Sequence, residues 1–115
     1  MDTSYVRQTD MSTDELIACL DNPHADARCF FINELGVIYM TTVDKTEVEK
    51  VQQQLIKMLD DEEDSVRYPA YMFLWDGLRI RSDGGDVKER LMAFAGKPEN
   101  EDMMDVIRDH GAAIG

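Results

Sequence analysis

Shifted against itself by 39 residues, the chain sets Leu16-Ile17-x-x-Leu20-Asp21 on Leu55-Ile56-x-x-Leu59-Asp60. The same gapless register puts Arg28 on Arg67 and Leu35 on Leu74, and pairs Ala27 and Phe31 with Val66 and Ala70. These six identities in 21 positions fall where a helix hairpin has its core or its turn. Self-similarity at such a period constrains the chain to stacked supersecondary units, each too small to bury its apolar face alone.

The units read as helix pairs. Ser12-Thr13-Asp14-Glu15 is a capping box, in which the serine hydroxyl and the glutamate carboxylate each accept from the other's amide. It opens a short helix carrying Leu16, Ile17 and Leu20, which Asp21-Asn22-Pro23 ends. A second helix starts near Ala25, with Ala27, Phe31 and Leu35 on one face and Gly36 as a stop. Val37-Ile38-Tyr39-Met40 reads equally as a helical extension or a buried connector. Asp44 caps a third helix with Val48, Val51, Leu55, Met58 and Leu59 at 3–4 spacing. The fourth helix carries Val66, Ala70, Phe73 and Leu74. Pro69 belongs in a helix's first turn, which places the start near Ser65 to Arg67, and Gly77 is its expected end. Leu78 to Arg81 reads as a connector and Ser82 to Gly85 as a loop. A fifth helix holds Val87, Leu91, Phe94 and Ala95. Gly96-Lys97-Pro98 breaks it before a last helix with Met103, Met104 and Ile107, ending at Gly111.

The pattern of apolar helix, Asp-initiated turn, small apolar residue followed by Arg, and second helix ending near Leu-Gly resembles the HEAT-like (armadillo/HEAT-type) helical repeat family. The resemblance implies an all-α fold, a short right-handed α-α solenoid of about three HEAT-like helix hairpins. It also implies that Asp21 and Asp60 help cap their second helices, and that Arg28 and Arg67 bond to neighbouring repeats or turns. The third pair, 87–111, departs from the pattern because Lys97-Pro98 replaces the Asp turn, as a degenerate terminal repeat would. Residues 1–11 are polar and aperiodic and are expected to form a flexible N-terminal arm, with 12–115 a single domain.

Charge narrows the function. Acidic residues number 24 against 12 basic, a formal net charge of −12. Such a field repels phosphate backbones and anionic membrane surfaces. No window approaches a membrane span, and the first residues have neither the basic nor the apolar region of a signal peptide. Cys19 and Cys29 read as free thiols, which fits a cytoplasmic protein.

The catalytic inventory is thin. The two histidines, His24 and His110, lie at helix ends, and no Cys-x-x-Cys pair is present. Cys29, beside Phe30 and Phe31, reads as a small core residue. Asp83-Gly84-Gly85-Asp86 has neither the carboxylate series of a calcium loop nor the lysine of a phosphate loop. No catalytic, metal or cofactor-binding residue is therefore assigned, and no cofactor is expected. Arg79, Arg81, Lys88 and Arg90 form a small basic patch, but Asp83, Asp86 and Glu89 flank it.

Two features suit partner binding. The run Asp60-Asp61-Glu62-Glu63-Asp64 reads either as a solvated capping turn or as a docking patch for a basic partner. Opposite its core face the fourth helix carries Tyr68, Tyr71, Met72 and Trp75, which reads either as an inner helix covered by its neighbours or as a strip of aromatic anchors. The partner-binding candidates are therefore Asp61, Glu62, Glu63, Asp64, Tyr68, Tyr71, Met72 and Trp75. The expected function is a non-catalytic acidic protein-binding module. Its sharpest form is an immunity or inhibitor protein that occludes a basic toxin or nuclease. A generic adaptor or self-associating subunit, and a nucleic-acid mimic, are the alternatives.

Overall fold

A computed structural model describes residues 7–81 and 85–105, and every regular element among them is helical. The order is α1 (Thr13–Ala18), α2 (Ala25–Thr41), α3 (Lys45–Met58), α4 (Asp64–Arg81) and α5 (Gly85–Ala95), followed by α6, of which 101–105 are described. Short 3₁₀ turns at Cys19–Asp21 and Pro98–Asn100 close α1 and precede α6. The capping box is present: Ser12 Oγ accepts from the Glu15 amide at 3.2 Å, and Glu15 Oε1 accepts from the Ser12 amide at 3.1 Å. Asp44 caps α3 through the Thr46 and Glu47 amides. The Glu47 carboxylate turns instead to the Thr13 hydroxyl, tying α1 to α3.

The hydrogen bonds at the turns recur with the sequence period. Asn22 Oδ1 accepts from the His24 amide, and 39 residues on Asp61 Oδ1 accepts from the Glu63 amide, each at 2.9 Å. Arg28 Nη1 donates to the Asn22 carbonyl at 2.9 Å, and Arg67 Nη1 to the Asp61 carbonyl at 2.8 Å. Each arginine then reaches forward to the next turn. Arg28 forms a bidentate pair with Asp61 at 3.0 and 3.1 Å, and Arg67 Nε donates to Asn100 Oδ1 at 3.0 Å. Asn22, Asp61 and Asn100 thus form a ladder of equivalent positions. The residues that bond the second-helix starts are Asn22 and Asp61, one place after the expected Asp21 and Asp60. Asp60 instead pairs with Lys97 at 3.6 Å. The third turn has no Asp, but the buried Asn100 fills its place, donating to the Phe94 carbonyl at 2.9 Å.

Neither expected glycine stop ends a helix. α2 runs through Gly36 and includes 37–41, and α4 runs through Gly77 and includes 78–81, the segment read as a connector. Both glycines are places of close approach. A Cβ on Gly36 would fall inside contact distance of the Phe73 ring, and one on Gly77 would collide with the Tyr39 ring. Because 36 meets 73 and 39 meets 77, α2 and α4 run parallel, each laying a ring over the other's glycine. Pro69 lies in the second turn of α4, beyond the first-turn position expected for it. The Ser65 carbonyl therefore lacks an i+4 donor, a loss that is bearable because Ser65 is exposed.

α2 is the enclosed helix. Ile32, Leu35 and Tyr39 face the core, while the carboxylate of Glu34 on another side is only 2% exposed. Residues of the expected loose arm cover it. Glu34 accepts from Arg7 Nε, the Gln8 amide, the Thr9 amide and the Thr9 hydroxyl at 2.8–3.1 Å. Residues 7–11 are thus fastened to α2; 1–6 lie outside the described residues, as do 82–84 of the Asp83-Gly84 loop. Burial pushes the Glu34 carboxyl up, but these donors outweigh it and hold the carboxyl below the usual range.

Two outcomes follow. Gly36→Ala should lower the urea midpoint, although alanine gains about 1 kcal/mol in helix propensity, because overpacking against Phe73 costs about 1–3 kcal/mol. Gly96→Ala, with only ordinary contacts around the new methyl group, should not. A depressed Glu34 pKa means that its stabilising contribution is complete above the ordinary glutamate value, about 4.3, and is lost as pH falls through the folded value. Amide protection at Gln8 and Thr9, taken relative to the intrinsic exchange rate at each pH, should therefore fall as pH drops through the lowered Glu34 value in wild type, whereas in Glu34→Gln it should already be weak at neutral pH.

Candidate protein-binding surface

The acidic run divides. Asp61 is committed to Arg28, with both side chains only 10% exposed, so it holds the fold and is not free to dock a partner. Glu62, Glu63 and Asp64 are exposed at the start of α4, without an ion-pair partner among the described residues.

The aromatic strip divides as well. Tyr71 is core: it is 6% exposed and stacks on Phe94 with ring centroids 5.2 Å apart. Burial pushes its phenol up. Trp75 is half-buried and lies against Tyr71 with centroids 6.5 Å apart. Tyr68 and Met72, also half-buried, point to the other side of α4 and line surface depressions. The helical wheel put all four on one broad face. α5 packs over one part of that face and leaves the rest open.

Two depressions flank Tyr68. One, of about 440 Å³, lies between α2 and α4 and is lined by Cys29, Asn33, Ser65, Tyr68, Pro69, Met72, Phe73 and Asp76. The other, of about 320 Å³, lies between α4 and α6 and is lined by Asp64, Ser65, Tyr68, Asp102 and Met103. Among the described residues, neither is lined by a lysine or an arginine. The polar groups are mainly acceptors: carboxylates of Asp64, Asp76 and Asp102, and the Ser65 carbonyl that Pro69 deprives of its helical donor. The Asn33 amide group is bonded to the Cys29 carbonyl at 3.0 Å. Burial pushes the Asp76 carboxyl above its usual range, partly offset by Arg79 at 3.8 Å. Such a groove, apolar and aromatic with an acceptor rim, suits a cationic occupant.

The remaining candidates carry less. Cys29 is half-buried, and burial pushes its thiol up, away from the thiolate a nucleophile needs. Cys19 is also a free thiol. His24 is exposed at the start of α2, and His110 lies outside the described residues. Among the described residues no group of three His, Cys, Asp or Glu side chains could hold a metal ion, and no helix is long and apolar enough to cross a membrane. Of the basic patch, Arg79 is held loosely by Asp76 and lies outside both depressions. A separate cleft of about 680 Å³ at the α2–α3 turn contains Val43, 98% exposed, and Ile80, 62% exposed.

Of the residues that line the two depressions, Asp64, Tyr68 and Met72 are among the partner-binding candidates of the sequence, whereas Cys29, Asn33, Ser65, Pro69, Phe73, Asp76, Asp102 and Met103 are not. No family model matches the chain, and neither a curated protein nor a solved structure matches it.

Two pairs of substitutions check the division. Tyr71→Ala should cost about 3 kcal/mol in urea unfolding, the scale of removing a large buried side chain, and Tyr68→Ala much less. Asp61→Ala should lower the thermal midpoint clearly, while Glu62→Ala and Glu63→Ala leave it nearly unchanged.

Proposed function

We propose that this chain is a non-catalytic, acidic protein-binding module on a short HEAT-like solenoid, docking a basic protein through the face formed by α2, α4 and α6. The observation that carries this reading is the pair of depressions around Tyr68, apolar and acid-rimmed, with no cation lining either among the described residues. The net charge of −12 supports it, since complementary charge steers a basic partner and suppresses acidic ones. Glu62, Glu63 and Asp64 stand at one end of the groove, where unpaired charge acts mainly on association rate. The hydrogen-bond set that recurs at 39 residues supports the repeat reading, including a third unit in which Asn100 stands for Asp61. The sharper form is an inhibitor or immunity protein, which requires that the bound protein lose its activity. Two free thiols suit a reducing compartment such as the cytoplasm.

A second reading, self-association, is favoured by the cleft where exposed Val43 and Ile80 lie beside Met40, Val48 and Leu78, because a contiguous exposed apolar patch marks an interaction site. Light scattering of wild type and Ile80→Asp separates it from the first.

The leading reading predicts capture of one stoichiometric basic protein by the immobilised chain, after nuclease treatment. Capture should weaken between low salt and about 0.3 M salt. It should be lost with Tyr68→Ala/Asp76→Asn and persist with Lys45→Ala at the start of α3, a residue that lines neither depression. Capture unchanged by Tyr68→Ala/Asp76→Asn, or no captured protein beside an Ile80-dependent dimer, overturns it. Loss of the captured protein's own activity on binding supports the inhibitor form.

A further inference from the structure

The groove has a length, and its length specifies a ligand. Asp64 and Asp76 are twelve residues apart on α4, which at 1.5 Å per residue is about 18 Å along the axis. The two depressions share Ser65 and Tyr68, so they form one track that crosses α4 obliquely. Its α6 end has two carboxylates, Asp64 and Asp102, and its far end has one, Asp76. Between them are the Tyr68 ring and Met72. Ser65 lines both depressions, and Pro69 leaves its carbonyl without the i+4 donor.

We propose that this track binds an extended peptide segment of the partner with two arginines six positions apart. In extended backbone six residues span about 20 Å and put both side chains on one face, which matches the two acidic ends once the oblique crossing is added to the axial separation. One guanidinium lies between Asp64 and Asp102, the other against Asp76, where it displaces the long contact with Arg79. An apolar side chain between them covers Tyr68 and Met72, and a backbone N–H of the segment donates to the Ser65 carbonyl. Arginine is preferred over lysine because its planar fork pairs with carboxylates in two-point geometry and stacks on an aromatic face. The inference rests on the docking face proposed above and adds the spacing and the residue type.

The test uses the full-length chain and three synthetic octapeptides of glycine, serine, alanine, one leucine and two cations. The first has arginines at its first and seventh positions. The second has the same composition with arginines at its third and fifth positions. The third replaces the arginines of the first by lysines. Amide chemical-shift titration should map the first peptide to Ser65, Tyr68, Asp76 and Asp102, and it should bind about tenfold more tightly than the second. Asp76→Asn should erase that preference while leaving the amide spectrum of the free protein otherwise intact. Equal affinity of the first and second peptides at the groove overturns the spacing and leaves the docking face standing. Equal affinity of the first and third overturns the choice of arginine. Shifts confined to Glu62 and Glu63, or none in the groove, overturn both the segment and the face.

Discussion

The rest of the fold depends on the guanidinium of Arg28. It holds the carbonyl of its own turn at Asn22 and, in a bidentate pair, the carboxylate of the next turn at Asp61. Asp61 in turn accepts from the Glu63 amide at the start of α4. One acidic residue therefore joins two helix pairs and orients the helix that bears the binding face. Burying an ion pair adds net stability only when geometry and further bonds offset desolvation. Here both carboxylate oxygens are used, and what the pair secures above all is register. At the next step the charge is gone. Arg67 meets the Asn100 amide, and Asn100 closes its other end on the Phe94 carbonyl. The same position serves the same geometry with a neutral group.

Close contact between α2 and α4 completes what the arginines begin. Ring-over-glycine contacts at Gly36 and Gly77 fix the sliding of the two helices past one another, because a ring cannot move along a helix that offers only one gap. On the far side of α2 the Glu34 carboxylate gathers residues 7–9. That end of the stack is thereby closed by the chain's own N-terminal segment. Among the described residues the face between α2, α4 and α6 receives no such cover, and the grooves around Tyr68 are the consequence.

Electrostatics follows the same division between structural and free acids. Asp61 and Glu34 are neutralised by arginines and backbone donors within the fold. Glu62, Glu63, Asp64 and Asp102 are exposed and form no ion pair among the described residues. A surplus of this kind destabilises the folded chain by self-repulsion and favours approach of positive partners. It is strongest where α4 and α6 begin, beside the groove, so the same carboxylates that cost the monomer stability would steer a basic partner onto it.

Local chemistry made much of this legible in the sequence. The caps at Ser12 and Asp44, the 3–4 spacing of Leu55 and Leu59, and the 39-residue period all express short-range geometry that a linear pattern contains. The family resemblance placed the turn bonds at Asp21 and Asp60, one residue early, because those two are identical whereas Asn22 and Asp61 are only chemically alike. Gly36 and Gly77 read as stops, since the missing Cβ that permits a helix to end also permits another helix to approach, and only the partner decides between them. Glu34 gave no sign of burial, because its donors lie some 25 residues earlier and meet it only in the folded chain. Tyr68 and Tyr71 share a face on the helical wheel, and which was core and which was surface depended on where α5 came to rest. The sequence determined helices, caps and period through interactions spanning a few residues. The tertiary structure decided which acids are spent and which face is open, since both depend on what distant segments cover.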